Sequence, residues 1–478
     1  MPQSPMPDHT APPHRALDTP ELLHKILSYL PVSDVARLCR VSRLFFFRSS
    51  PEVWKHLENI MKLFKLIPGA KFTPVPPLRL PSDTITINVP KAPDLTRLNH
   101  YGLLVHSLKP FRRNTIILIQ DSDGWKELEM QKATRPNGFL PNLSSLDVLN
   151  TCHYQSASDW CRLLLLLICP KLEHARLSYD ITPNKTWDDP IRFKHLTFTM
   201  FKCCPKLRTL HLLLGNELNS SYGFREWSRL QDLEHLETDL DIINDFDALL
   251  VIVRLPKLTH LGLRYQREYQ VPKETLTLPA RMFPALTTLD VECTHPAFAE
   301  YIWSILPLVG ITRARVKVEY SPVLDVPSSW TDSVVRAVCT RGPNLRDLEL
   351  DIYDPGRCSR HYSIAHALLS ALKALPLKSI KLVHARIHPR VNTADFASLF
   401  PAMQDLQIPS QGVKFVDLYQ IAIHLLHLRR LSVALRNSHI PPAVKAGTPA
   451  SYIPITVAIE SMDFLCSKSG KFLKQTAT

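Results

Sequence analysis

The sequence predicts an α/β solenoid, with short parallel strands alternating with helices, preceded by a small N-terminal helical module. Three observations lead to this prediction. A pattern L-x-x-L-x-L recurs from residue 141 onward and usually follows a proline. Helix-forming stretches separate the copies of this pattern, as in solenoids built from stacked strand–helix units. Residues 17–60 hold three short apolar stretches with helical spacing, ahead of the repeats.

The composition is that of a folded chain and excludes several function classes. The 478 residues include 13 Gly and 40 Pro, with 45% hydrophobic and 21% charged residues. Scarce glycine and the lack of a phosphate-loop motif argue against nucleotide chemistry. The net charge of +13 permits attraction to nucleic acid or to an anionic membrane, but the basic residues come singly or in pairs.

Residues 1–16 are rich in proline and polar residues, and we expect a disordered tail there. This segment lacks the apolar stretch of a secretory signal. The longest apolar run, Leu163 to Cys169, is too short to cross a membrane. The ten cysteines are too few for a disulfide scaffold. We therefore expect a soluble intracellular protein, cytoplasmic or nuclear or both.

The first helix of the N-terminal module is predicted to begin with Thr19 as N-cap and Pro20 in the first turn. Pro31 should end it. Its apolar stripe consists of Leu22, Leu23, Ile26, Leu27 and Leu30.

Two more helices should follow. Ser33 is the predicted N-cap of the second, which carries Val35, Leu38, Cys39 and Val41 and can continue into residues 44–47. Ser50-Pro51-Glu52 is a start signal for the third, which carries Val53, Trp54 and Leu57. Three short helices bury little surface by themselves, so this module should present apolar surface to another protein.

Residues 17–57 resemble an F-box. The matching features are Pro20-Glu21-Leu22-Leu23, Ile26-Leu27, Tyr29-Leu30-Pro31, Asp34-Val35, Leu38, Val41-Ser42-Arg43 and Trp54. Asp18-Thr19 replaces the usual Leu-Pro, and Phe45-Phe46 stands near a position where Trp is common. The resemblance implies docking on a Skp-type adaptor, which joins the chain to the cullin and RING subunits of a ubiquitin ligase. Adaptor contact and the module's own core would share Pro20, Leu22, Leu23, Ile26, Leu27, Leu30, Pro31, Leu38, Val41 and Trp54.

Proline marks the repeats that fill the rest of the chain. Eight units follow Pro141, Pro170, Pro205, Pro256, Pro284, Pro343, Pro376 and Pro401. In each unit the last two apolar positions are two residues apart, so they face one side of a strand. Helices are predicted between strands at Ser158–Cys169, Asp245–Leu255, Thr331–Arg341, Ser363–Leu375 and Val416–Leu428.

This part resembles a leucine-rich-repeat domain, although the usual Asn or Cys after the strand is replaced. The resemblance implies an irregular arc with a parallel sheet on its concave face. The expected organisation is an F-box at 17–60, a linker at 61–80, the solenoid at 81–460 and a C-terminal tail at 461–478. Residues 81–135 are interpreted as divergent first repeats.

Strand residues between the buried leucines should line the concave face and bind a protein substrate. The candidate substrate-binding residues are His211, Asp290, Arg313, Arg315, Lys317 and Glu349. Acidic and basic residues alternate along this face, whereas a groove for nucleic acid would be mostly Lys and Arg.

No catalytic motif, metal-ligand set or cofactor site is predicted, and adjacent Cys203 and Cys204 are interpreted as core thiols. The sequence therefore favours a non-catalytic substrate receptor of a ubiquitin ligase. One alternative is a scaffold that binds protein partners without ubiquitination, and a second is a basic nucleic-acid-binding solenoid. An enzyme is the least supported class.

Overall fold

A computed structural model of the chain describes residues 19–75, 83–110, 115–119, 123–150, 157–179, 190–213, 224–239, 246–265, 282–306, 308–319, 330–353, 362–364, 366–387 and 391–435. The chain divides into two compact units, residues 1–217 and 218–478. The predicted tails at 1–16 and 461–478 lie outside the described residues.

The first unit begins with three helices. They are α1 (Pro20–Tyr29), α2 (Val32–Leu38) and α3 (Arg43–Lys55). Thr19 occupies the N-cap position of α1, and the helix ends before Pro31, both as predicted. Proline restricts the residue before it to extended conformations, which explains this ending.

The starts predicted for the second and third helices are wrong. Helix α2 begins at Val32, so Ser33 lies inside its first turn and is not the N-cap. Helix α3 begins at Arg43 because the Ser42 hydroxyl caps it, accepting a hydrogen bond from the Phe45 N–H at 3.2 Å. Pro51, read as a helix start, lies within this helix.

A parallel sheet follows directly from α3. Its strands, in spatial order, are β1 (His56–Leu57), β4 (Ser107–Leu108), β6 (Ser145–Asn150), β7 (His174–Tyr179) and β8 (Thr209–Leu213). Helices α7 (Ala157–Leu167) and α8 (Pro190–Cys203) connect its later strands. Strand β1 begins at the residue after α3 ends, so the helical module runs into the sheet without an intervening loop.

A separate three-stranded sheet corrects one prediction. It is made of β2 (Lys71–Pro74), β3 (Asp83–Asn88) and β5 (Thr115–Ile119). Strand β2 pairs antiparallel with β3, which pairs parallel with β5. Of the described strands in the region interpreted as divergent first repeats, β4 joins the main sheet, whereas β3 and β5 belong to the separate one. Helices α4 (Met61–Phe64), α5 (Thr96–Gly102) and α6 (Asp123–Ala133) accompany these strands.

The second unit is a longer run of parallel strands and helices. Its main sheet contains, in order, β9 (His235–Asp239), β10 (His260–Tyr265), β11 (Thr288–Cys293), β12 (Arg313–Glu319), β13 (Asp347–Tyr353), β15 (Ser379–Val383), β17 (Asp405–Val413) and β18 (Arg430–Leu435). A small parallel pair joins β14 (Tyr362–Ile364) to β16 (Ala385–Ile387).

Helices of the second unit alternate with these strands. A 3-10 helix spans Phe224–Arg229, and the α-helices are α9 (Phe246–Ile252), α10 (Pro296–Ile305), α11 (Trp330–Arg341), α12 (His366–Lys373), α13 (Thr393–Ser398) and α14 (Phe415–His424). Helix α12 starts later than predicted because β14 takes up the residues around Ser363.

The prolines set the register of the repeats. Strands β7, β8 and β11 each begin four residues after a proline, at positions that follow Pro170, Pro205 and Pro284. Proline lacks an N–H and disfavours further helix, so at these junctions it sets where the chain turns into the next strand. The unit after Pro376 is one residue shorter, as its sequence predicts, and β15 begins three residues on.

A ladder of backbone hydrogen bonds links neighbouring repeats. For the main-sheet strands from β4 to β7 and from β9 to β17, the carbonyl just before the strand accepts two consecutive N–H groups from the following repeat. In the second unit, Thr287 O accepts from Thr312 and Arg313 at 2.9 and 3.0 Å, and Gln404 O accepts from Arg429 and Arg430 at 2.7 and 3.1 Å. This main-chain ladder links the repeats although the usual Asn or Cys is missing.

The leucine pattern forms the core of both units. Residues Leu286, Leu289 and Val291 of one repeat are 3%, 0% and 1% exposed. Alternate residues of β11 face the opposite side and are half-buried. The pattern therefore places its apolar positions against the helices and leaves the intervening positions on the open face of the sheet.

Candidate functional site

Helix α1 carries two apolar stripes on adjacent faces. Leu23 and Leu27 are 2% and 3% exposed. They form a small core with Val35, against which Leu30, Leu38, Phe45 and Val53 pack. This stripe holds the three helices together. Of the predicted adaptor-binding residues, Leu23 and Leu27 therefore lie in the core, and Leu30 and Leu38 pack on it.

The second stripe, which we call the exposed α1 stripe, consists of Leu22, Ile26 and Tyr29. Their side chains are 49%, 43% and 78% exposed. The spacing i, i+4, i+7 puts them on one helix face. Large apolar residues gain free energy when they leave water, so a contiguous exposed row marks an interaction site.

Other exposed apolar residues belong to the same three-helix module. Pro20 and Pro31 are exposed at the ends of α1, and Val41 is 66% exposed. Sequence reasoning missed four further exposed residues: Tyr29, Val32, Leu44 and Phe47. The helical phase of Tyr29 relative to Leu22 was the available signal. No such signal was available in the sequence for Leu44 and Phe47, because their exposure depends on α3 beginning at Arg43.

Trp54 has a different environment from the rest of the predicted set. Its half-buried ring lies against Tyr101 of α5, with ring centroids 4.6 Å apart. Tyr101 belongs to the segment that leads into β4, and β4 pairs with β1 immediately after α3. The contact therefore ties the helical module to the main sheet of the first unit.

The open face of the second unit's sheet brings together five of the six predicted substrate-binding residues. Asp290, Arg315 and Glu349 are in register on β11, β12 and β13. Arg313 and Lys317 flank Arg315 on the same face of β12. His211 lies in the first unit, on β8 opposite Arg176 of β7.

The three basic residues of β12, Arg313, Arg315 and Lys317, each face a carboxylate of a neighbouring strand. Arg313 Nε lies 3.5 Å from Asp347, and Arg315 Nε lies 3.4 Å from Glu349. Lys317 Nζ donates to Glu292 at 2.5 Å, which raises the pKa of Lys317. The same pattern continues with Lys381 on Glu349 at 3.0 Å. This face is thus a ladder of ion pairs and not a basic patch.

Asp290 is a partly buried carboxyl group on this face, 3.5 Å from the His260 ring. Burial raises the pKa of its carboxyl group, and His260 and Arg315 oppose that effect only in part. The residue next to it on β10 is Gly262, which contributes no side chain to stabilise the carboxylate. The pKa of Asp290 is raised because partial removal from water disfavours its charged form.

The cysteine environments fit structural thiols. Cys204 is buried, and its thiol donates to the Cys169 carbonyl at 3.3 Å, while Cys203 is half-buried. Burial raises the pKa of the Cys204 and Cys293 thiols, the latter to about 12. Within the described part of the chain, no three His, Cys, Asp or Glu residues are arranged to hold a metal ion.

Comparison with known proteins agrees with the geometry of the helical module. The model of the F-box-like family matches residues 20–59, which span α1 to α3 and β1. No curated protein matches the chain. Among the described residues, no helix is long and apolar enough to cross a membrane. The chain therefore contains an F-box-like domain, a module that docks on Skp-type adaptors of cullin–RING ubiquitin ligases and occurs in non-catalytic subunits.

Proposed function

We propose that the protein is the substrate-recognition subunit of an SCF-type cullin–RING ubiquitin ligase. Its F-box-like domain binds the Skp-type adaptor, and the adaptor links it to the cullin and RING subunits. The exposed α1 stripe is the observation that carries this proposal. An apolar row of this kind, formed by Leu22, Ile26 and Tyr29 outside the module's own core, suits burial against a protein.

The remaining part of the proposal concerns the repeats, which we interpret as a divergent leucine-rich-repeat solenoid that binds the target protein. The parallel main sheets, whose strands lie side by side in chain order, support this interpretation. The open face of the second unit, with Asp290, Arg313, Arg315, Lys317 and Glu349, is the proposed contact surface, and His211 is its counterpart in the first unit. The protein acts in the cytoplasm or nucleus and has no catalytic role of its own.

Affinity capture tests this proposal. The full chain, expressed in cells under proteasome block, should recover the adaptor, the cullin and ubiquitinated client proteins. A Leu22→Lys/Ile26→Lys variant should lose the adaptor and the cullin while it retains clients, because the repeats are unchanged. A scaffold without ubiquitination would instead bind the adaptor and recover neither cullin nor ubiquitinated clients.

A further inference from the structure

The open face of the second unit's main sheet is acidic along its central strands, although the chain carries a net charge of +13. Strands β10 to β13 are paired in register there. The alternate residues on the open face of these four strands include four basic side chains, those of Arg264 and of the three basic residues of β12. They also include six carboxylates, which belong to Asp290, Glu292, Glu319, Asp347, Glu349 and Asp351. We call this surface the acidic patch.

The four cations of the acidic patch are already paired with its carboxylates. Arg264 Nε lies 3.5 Å from Glu292, which also accepts a hydrogen bond from Lys317. The two arginines of β12 face carboxylates of β13. The field of a paired cation is largely cancelled by its neighbour, so these side chains attract an acidic partner only weakly. The charge that the patch offers to a partner is therefore negative.

Two carboxylates of the patch contact an imidazole. His260 Nε2 lies 3.5 Å from Asp290 Oδ2, and His384 Nδ1 lies 2.9 Å from Asp351 Oδ1. An imidazole in an ordinary environment is mostly uncharged at neutral pH, whereas Lys and Arg side chains are charged. The negative charge that remains on the patch is therefore centred on Asp290 and Asp351.

Glu237 of β9 adds a further carboxylate beside Asp290. Gly262 of β10 is in register with both residues and lies between them. A Cβ atom at Gly262 would stand 3.0 Å from Cγ of Glu237, so the absence of a side chain lets Glu237 lean over β10 on the side of Asp290. Burial raises the pKa of Asp290, and repulsion from Glu237 raises it further. A cation brought by a partner opposes both effects, because it stabilises the charged form of the carboxyl group.

We propose that the acidic patch binds a basic segment of the target protein, with Lys or Arg side chains of that segment paired with Asp290 and Asp351. This inference rests on the proposed role of the open face in target binding, and it adds the chemical class of the target. The overall positive charge of the chain disfavours a basic segment elsewhere on the surface, so electrostatic attraction directs it to this patch. The same carboxylates repel an acidic segment.

Fluorescence anisotropy with the full-length chain and a labelled hexalysine peptide at low ionic strength tests the proposal. An Asp290→Asn/Asp351→Asn variant removes two charges from the patch and keeps the shape of both side chains. A Glu300→Gln/Asp395→Asn variant removes the same charge from exposed residues of α10 and α13 in the same unit. We expect the second variant to bind hexalysine within about twofold of the wild type, and the first to bind at least about fivefold more weakly. A hexapeptide of acetylated lysine, which lacks the charges, should bind to none of them.

Three results would overturn the proposal. Equal affinity of the wild type and the Asp290→Asn/Asp351→Asn variant would mean that the basic peptide does not contact these carboxylates. Equal weakening in both variants would mean that the overall charge attracts the peptide and the patch does not. Failure of the wild type to prefer hexalysine over the acetylated peptide would exclude a basic target.

Titration with the Skp-type adaptor separates this proposal from the proposed function. Both variants should bind the adaptor with the wild-type Kd, because their substitutions lie in the second unit and leave the F-box-like domain unchanged. A negative peptide result with intact adaptor binding removes only the basic class of target. A wild type that binds hexalysine through the patch but does not bind the adaptor contradicts the ubiquitin-ligase role and supports the patch.

Discussion

Leu22 and Leu23 are adjacent in sequence, yet they lie on different faces of α1. Leu23 is buried in the core of the helical module, and Leu22 is half exposed. Leu23 is therefore expected to stabilise the helical module, and Leu22 is expected to contact the adaptor. This difference in burial also explains why a family resemblance that names both leucines cannot by itself assign them a role.

A pair of alanine substitutions checks this separation. Leu23→Ala should cost about 2–5 kcal/mol of local stability, because it leaves a cavity in a small core. Leu22→Ala should change stability by no more than about 0.5 kcal/mol, since its side chain is largely in water. Native-state hydrogen exchange of α1 to α3 measures both. Equal losses in the two variants would contradict the assignment of the stripes.

Asp290 gives a prediction about pH. Its pKa is raised in the folded state, so between the ordinary aspartate pKa and the raised value the folded chain binds more protons than the unfolded chain. Stability contributed by this group therefore falls as pH rises through that window. Asp290→Asn should remove this loss, so the thermal midpoint of the variant should gain on that of the wild type as the pH rises above the ordinary aspartate pKa of about 3.9. His260, Arg315, Glu237 and Glu349 stay in place as the neighbouring charges.

A pH-independent difference in midpoint between the Asp290→Asn variant and the wild type would contradict this prediction. A thermal midpoint of the wild type that rises with pH relative to that of the variant would also contradict it. That result would mean that folding stabilises the charged form of Asp290.

Among the elements, α3 shows what the sequence could and could not predict. Three helices were expected in this region, and three are present. The predicted start of the third helix was wrong because Ser50-Pro51-Glu52 matches the sequence pattern of a helix start as well as Ser42 does. Only the capping contact of Ser42 decides between them. Proline inside a helix removes one backbone hydrogen bond, a cost that the packing of α3 against α1 and α2 offsets.

The role of Trp54 is tested by its partner in α5. If Trp54 ties the module to the sheet, Trp54→Ala and Tyr101→Ala should both speed exchange of the β1 amides and change adaptor affinity by less than about threefold. If Trp54 instead contacts the adaptor, Trp54→Ala should weaken binding and Tyr101→Ala should not. Calorimetric titration with the adaptor, alongside hydrogen exchange, distinguishes these outcomes.

The strands of the main sheets could be predicted wherever a proline and a leucine pattern mark them. Strands β1 and β4 could not, because each has only two residues and neither carries that pattern. The antiparallel pair β2–β3 was missed for a related reason. Alternating apolar residues predict a strand, but they do not say which sheet it joins or in which direction.

For the whole molecule, the net charge of +13 does not define a nucleic-acid site. Arg313, Arg315 and Lys317 each face a carboxylate, so their charges are locally compensated. The candidate substrate face was correctly expected to alternate in sign. Its pairing could not be derived from sequence, because it depends on the register between strands.

Two triple variants can be compared by the salt concentration at which they elute from heparin. One replaces Arg313, Arg315 and Lys317 with Gln, and the other replaces Lys62, Lys65 and Lys71 with Gln. We expect the first variant to elute at a salt concentration no lower than the second. Both variants remove the same charge, and affinity for a polyanion depends on the number of cations it contacts. A much larger loss in the first variant would mean that the sheet face binds polyanions, in favour of the nucleic-acid alternative.

The central claim is that the F-box-like domain docks on a Skp-type adaptor through the exposed α1 stripe. Calorimetric titration of the purified full-length chain with the adaptor tests it most directly. Wild type and Ile191→Lys, a charge placed on an exposed apolar residue of α8, should bind with the same Kd. Leu22→Lys/Ile26→Lys should weaken binding at least about a hundredfold, because it puts two charges into an apolar interface. Binding of the double variant at wild-type affinity, or no binding by the wild type, would contradict the claim.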